Sequence, residues 1–206
     1  SGHEQGIVKI KIINPDNLVF GNLERALEKK FKLEEAFFTI AGISYIGFAF
    51  IHFIYLAALN TSTVTVFGSE LTLSSAFIWL AFLGTWASDT FAFFVGSKFG
   101  KHKLCPQISP AKTVEGFIGG IIGSTIILIL LAKLFNFLLL PTAILGLIIG
   151  FIAPLGDLIE SSIKRYTMIK DSGTLLPGHG GVLDRFDSAM IVIPIVYYYL
   201  QYINLY

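Results

Sequence analysis

The sequence predicts an all-α, polytopic membrane helix bundle of about five transmembrane helices, with an active site at the cytoplasmic membrane interface. Three observations predict it: long apolar runs, scarce charge, and the placement of that charge. Of the 206 residues 54% are hydrophobic and only 14% charged, against about 25% charged in ordinary soluble domains. Mean hydropathy is +0.72, so the solvent for most of the chain is lipid. The formal net charge of +1 argues against nucleic acid as a partner, which requires a basic surface. One cysteine, Cys105, allows neither an internal disulfide nor a thiolate metal cluster.

Crossing the hydrocarbon takes about 20 apolar residues in helical form. Ala36–Leu59 is the first such run. Leu71–Gly96 is the second, interrupted by Asp89, and Gly116–Leu140 the third, with Lys133 near its end. Pro141–Ile159 is the fourth, opened by a proline that a helix start tolerates and expected to break near Pro154 and Gly156. Phe186–Tyr206 is the fifth, its tyrosines fitting an interfacial belt. With the N-terminus placed in the cytoplasm, fourteen of the fifteen Lys and Arg residues fall on that side and only Lys133 opposite, as the positive-inside rule requires.

The organisation expected is a polar segment, residues 1–35, followed by a catalytic membrane domain, residues 36–206. No secretory signal is expected in the polar segment. Within residues 17–35, Leu23, Leu27 and Phe31 recur every four positions opposite Glu24, Arg25, Glu28 and Lys29. That pattern predicts an amphipathic helix at the membrane surface, although a solvated linker accounts for it too.

An ionisable side chain inside a membrane run costs roughly 2.5–3.5 kcal/mol at the centre on insertion scales. Asp89 is therefore expected to face a polar cavity open to the cytoplasm. Asp157, Glu160, Ser161 and Lys164 stand at i, i+3, i+4 and i+7, one helical face. Asp184 and Asp187 are three apart at the start of the fifth run. Asp157, Ser161, Asp184 and Asp187 form an oxygen-rich set suited to Mg²⁺, which favours carboxylates and phosphate oxygens. A salt-bridged structural cluster fits the same spacing. The loop between the two helices favours phosphate: Lys170–Asp171–Ser172–Gly173 and Pro177–Gly178–His179–Gly180–Gly181 combine cations with glycine N–H groups that can approach phosphate closely. Ser109, Lys112, Thr113 and Glu115 in the preceding polar loop add a cation and two hydroxyls.

The stretch SSIKRYTMIKDSGTLLPGHGGVLDRFD, Ser161 to Asp187, resembles the pattern of the CDP-diacylglycerol synthases (phosphatidate cytidylyltransferases): a serine before Lys-Arg, then Lys-Asp, His-Gly-Gly, Asp-Arg and a final Asp. The block from Trp86 and Asp89 through Ser109–Pro110 and Lys112–Thr113 to Gly119–Gly120 is similar to the family's preceding block. The resemblance covers about residues 80–200. Family members are typically longer, and Ala111 stands where the pattern often has Lys or Arg.

The resemblance implies transfer of the cytidylyl group from CTP to phosphatidic acid, giving CDP-diacylglycerol and pyrophosphate, in a membrane fold that tends to dimerise. It implies Mg²⁺ on Asp157, Asp184 and Asp187, with Ser161 and Lys164 beside them, and a second, monovalent cation such as K⁺. The catalytic set is then Lys164, Arg165, Lys170, Asp171 and Arg185. Asp89, Ser109, Lys112, Thr113, Glu115, His179, Gly180 and Gly181 contact substrate, His179 as a phosphate or loop contact rather than a base. The implied setting is a bacterial inner membrane with the site facing the cytoplasm. The nearest rivals are a CDP-archaeol synthase or a CTP-dependent polyprenol kinase. A transporter is the distant one, disfavoured because the charges gather at one interface and no inverted repeat is visible.

Overall fold

The computed structural model describes residues 33–166 and 183–206, with side chains from 36 and from 186 in those two stretches. The expected surface helix of the polar segment lies outside the described residues. Five helices are present among the described residues: α1 (Leu33–Ala57), α2 (Leu73–Phe99), α3 (Val114–Phe135), α4 (Leu139–Tyr166) and α5 (Leu183–Tyr202). The first four are long and apolar enough to cross a membrane. The fold is the helical membrane bundle expected. The chain divides into two compact units, residues 1–44 and 45–206, and everything described next lies in the second.

Two small hairpins interrupt the helices where plain loops were expected. Strands β1 (Thr63–Val66) and β2 (Ser69–Thr72) pair antiparallel. Phe67 and Gly68, both at positive φ (51° and 81°), make the two-residue turn whose twist suits a hairpin. Strands β3 (Lys103–Cys105) and β4 (Ser109–Thr113) pair antiparallel with Cys105 opposite Ser109. This second hairpin sits between α2 and α3 and carries Ser109 and Lys112.

Helix ends follow local chemistry. Thr113 begins α3 three residues before the expected Gly116, because its hydroxyl accepts the Gly116 N–H at 3.1 Å as an N-cap does. The same helix stops at Asn136, left-handed at φ 55°, so the third run ends at Phe135 instead of Leu140. The expected break at Pro154 does not occur: α4 continues to Tyr166. Proline removes one donor and frees the carbonyl four residues back. That carbonyl, on Gly150, accepts a long hydrogen bond of 3.5 Å from the Ser88 hydroxyl of α2. A neighbouring helix thus takes up the lost bond, as membrane helices require.

The interior is a column of apolar side chains shared by α2, α3, α4 and α5. Leu80, Leu128, Leu145, Ile149, Val192 and Val196 are essentially fully buried. Large apolar residues also point outward along every helix, Phe93 at 69% and Leu140 at 72% exposure among them, which only a lipid surround makes favourable. Close backbone approach sets the α4 crossings. A Cβ on Gly150 would meet the Ile121 Cα at 2.6 Å, and one on Gly156 would meet the Asp187 carbonyl oxygen and Ser188 Cα at 2.8 Å each. The second of these contacts brings the acidic turn of α4 against that of α5. Helix α1 joins the bundle through side chains instead: His52 Nε2 lies 3.1 Å from the Tyr198 hydroxyl, with Phe53 edge-on to Phe82.

Candidate active site

The site assembles around Asp157. Its Oδ2 lies 2.7 Å from Lys112 Nζ, and its Oδ1 accepts the Ser161 hydroxyl at 3.0 Å, one helical turn on. Lys112 also donates to the Pro154 carbonyl at 3.2 Å. The lysine reaches this position because Thr113, the next residue, is buried and locked as the cap of α3. The ion pair ties the β3–β4 hairpin to α4, forty-odd residues away in sequence, and keeps both oxygens of one carboxylate occupied.

Asp89 of α2 and Asp187 of α5 complete the acidic group. Asp89 lies within electrostatic reach of Asp157, Asp187 and Lys112, and Asp187 of Asp157, Lys112 and Lys164. One oxygen of Asp187 accepts the Ser188 N–H at 2.6 Å, which fixes the carboxylate at the start of α5. A cavity of about 480 Å³ opens beside the cluster. Asp89, Phe93, Ser97, Ser109, Lys112, Thr113 and Asp157 contribute to its walls. Asp89 thus lines a cavity whose walls are mostly apolar, with Ser97, Ser109, Lys112, Thr113 and Asp157 as its other polar lining residues.

The remaining expected residues take several positions. Lys164 pairs with the buried Glu160 at 2.7 Å, and the Arg165 Nε donates to the Ile108 carbonyl at 3.4 Å, tying the end of α4 to the β3–β4 turn. Glu115 accepts the backbone N–H groups of Lys101 (3.1 Å) and His102 (3.2 Å) and meets His102 Nδ1 at 2.7 Å. It clasps the connection between α2 and β3. Lys170, Asp171, His179, Gly180 and Gly181 lie outside the described residues, as do the side chains of Asp184 and Arg185 in the first turn of α5. Among the described residues no three His, Cys, Asp or Glu side chains form a ready metal cage. Asp89, Asp157 and Asp187 influence one another electrostatically without forming such a cage, and their oxygens are the hard type of donor that Mg²⁺ prefers and zinc does not require.

One participant has no signature in the sequence. Tyr45 of α1 donates to the Asp187 main-chain oxygen at 3.5 Å and lies in the field of the Asp187 and Glu160 carboxylates. Its only signal is a hydroxyl inside an apolar run, and nothing local distinguishes that from an ordinary buried tyrosine. A second cavity, about 530 Å³, lies between α1, α2 and α5, with Ile46, the residue after Tyr45, in its almost wholly apolar lining.

Fold and site together define an integral membrane protein with an acid-and-lysine cleft formed where three helices and a hairpin meet. The sequence model of the cytidylyltransferase family matches residues 8–203, and the chain belongs to that family. Among curated relatives, the phosphatidate cytidylyltransferase of Staphylococcus saprophyticus is 42% identical over 171 residues, 82% of this chain and 60% of the relative. That of Bacillus subtilis is 44% identical over 173 residues, 81% of this chain and 58% of the relative. The phosphatidate cytidylyltransferase of Staphylococcus haemolyticus is 40% identical over 171 residues, 82% and 60%. The chain therefore spans about three-fifths of the length of these relatives. The family expected from the Ser161–Asp187 motif is borne out.

Proposed function

We propose that this protein transfers the cytidylyl group of CTP to phosphatidic acid, releasing pyrophosphate and forming CDP-diacylglycerol for phospholipid synthesis. Family membership and the names of its relatives support the reading. The observation that carries it is the Lys112–Asp157 pair at the wall of a cavity of about 480 Å³, within the usual range for small-molecule sites of about 300–1,000 Å³. A cation beside carboxylates in a cleft of that size suits a polyphosphate that brings its own metal.

In the proposed reaction a phosphatidate phosphate oxygen forms a bond to the α-phosphorus of CTP. The bond from that phosphorus to the β-bridging oxygen breaks, and pyrophosphate leaves with the electron pair. The attacking oxygen is already ionised at neutral pH, so no base is needed. The task of the protein is to hold two anions together and stabilise charge in the transition state. Lys112 serves the triphosphate in the cavity, and Lys164, Arg165, Lys170 and Arg185 supply further cations, with Asp171 beside them. Ser109, His179, Gly180 and Gly181 contact the nucleotide, while Thr113 and Glu115 hold the hairpin that presents Lys112. Asp157, Asp184 and Asp187, with Ser161 alongside, would hold Mg²⁺, which when bound neutralises triphosphate oxygens as a Lewis acid. A K⁺ ion at the same carboxylates belongs to this proposal.

The proposed setting is the inner membrane of a bacterium, with the basic side and the cleft facing the cytoplasm, where CTP is found, and with two copies forming a dimer. The test is release of pyrophosphate from labelled CTP by the purified protein in lipid vesicles. Release that depends on both Mg²⁺ and added phosphatidic acid is expected; absence of that dependence on phosphatidic acid would overturn the assignment.

A further inference from the structure

The apolar groove between α1 and α5 has no part in the chemistry described so far. It runs along α5 from Phe186 to Ile193, seven residues or about 10 Å of helix. Ala49 and Ala189, both buried, are its small residues, and Phe50 and Phe186 its exposed large ones. Ala49 on α1 and Ala189 on α5 are small and leave room in the groove that larger side chains would fill. One end adjoins the charged site: Phe186 precedes Asp187, and Ile46 follows Tyr45, whose hydroxyl reaches the Asp187 carbonyl.

A slot without polar walls that starts one residue from a carboxylate cluster matches an amphiphile whose reacting group is at its polar end. We propose that this groove seats the first part of one acyl chain of the phosphatidate, with the Tyr45 hydroxyl beside the lipid phosphate. The inference rests on the transferase reading and names the lipid subsite within it. A length of about 10 Å is roughly a third of the hydrocarbon core, so the groove orients the chain near the headgroup and leaves the rest in the bilayer. Tyr45 and Asp187 then mark the level at which the phosphate stops.

The experiment uses the intact protein in vesicles of phosphatidylcholine. Phosphatidic acid with a photoreactive diazirine near the carboxyl end of one acyl chain is compared with phosphatidylcholine carrying the same group. Crosslinks mapped by mass spectrometry are expected at Phe50, Phe186 and Met190 with the phosphatidic acid probe, several-fold above the phosphatidylcholine probe. Equal labelling by the two probes would make the groove an ordinary lipid-facing surface and overturn the proposal. In parallel, Ala49→Trp fills the slot. It is expected to raise KM for dioleoyl phosphatidic acid about tenfold more than KM for the dihexanoyl lipid, a loss of ground-state binding. Should Ala49→Trp not fold, Ala189→Leu makes the same comparison. If the parent protein is active and neither variant separates the two lipids, the groove is not the acyl site. If the parent shows no transfer at all but the photolabelling preference holds, the transferase reading fails and the lipid site stands.

Discussion

Lys112 Nζ and Asp157 Oδ2, 2.7 Å apart, join a hairpin to a helix whose sequence positions differ by 45. Both residues line the cavity of about 480 Å³ beside Asp89. Removing the lysine leaves Asp157 without its counter-ion and the cavity without its cation. Lys112→Ala is expected to lower kcat/KM for CTP roughly a hundredfold, the scale for losing one preorganised charge-stabilising donor. Steady-state assays that vary CTP at saturating lipid check it; near-parental kinetics would remove Lys112 from the site.

Asp187→Asn keeps the size of the side chain and its acceptor for the Ser188 N–H while deleting the charge. Pyrophosphate release should fall at least tenfold, and the Mg²⁺ concentration for half-maximal rate should rise, as expected when one carboxylate ligand is lost. Chelation with EDTA should abolish release from the parent protein, and added Mg²⁺ should restore it. A Mg²⁺ titration of both proteins, superimposing, would refute the metal role of Asp187.

Gly156 offers a purely steric test. A methyl group there meets the Asp187 oxygen and Ser188 Cα at 2.8 Å, main-chain atoms that cannot swing aside. Gly156→Ala should separate α4 from α5 and cut activity severalfold with a lower melting temperature. Gly47→Ala, with nothing within 4 Å, should leave both near parental values and serves as the control.

Thr113→Val retains shape and loses the cap on α3. A stability loss of about 1 kcal/mol is expected, accompanied by weaker CTP use because Lys112 is adjacent. Thr113→Ser should keep both properties. Thermal unfolding in detergent together with CTP kinetics separates these outcomes.

Tyr45→Phe deletes only the hydroxyl. It is expected to raise KM for phosphatidic acid more than KM for CTP, and equal effects on the two would place Tyr45 outside the lipid site.

The membrane runs were legible because about 20 consecutive apolar residues match the thickness of the hydrocarbon core and exceed what a buried core helix needs. Asp89 stood out because a carboxylate amid such a run is costly unless polar groups meet it, and it does line the cavity that carries Lys112. Asp157 and Ser161 were legible from their i, i+4 spacing, which the 3.0 Å hydrogen bond bears out. The β3–β4 hairpin was not: Pro110 and the short polar strands lack an alternating pattern. Tyr45 was hidden by distance along the chain, since its partner Asp187 is 142 residues away and no local periodicity reports such a contact. The glycines that let α4 meet its neighbours at Ile121 and Asp187 read in sequence only as small residues in a hydrophobic run.

Pro154 carries a consequence beyond helix geometry. By lacking a hydrogen it leaves the Gly150 oxygen to Ser88, the neighbour of Asp89, while its own oxygen receives Lys112. That one position thereby links a transmembrane helix and a hairpin to α4, the first through the acceptor that the missing N–H frees and the second through the carbonyl of the proline itself. The customary gain from exchanging a mid-helix proline for alanine, up to about 3 kcal/mol, is here set against unwiring the residues on either side of the cleft.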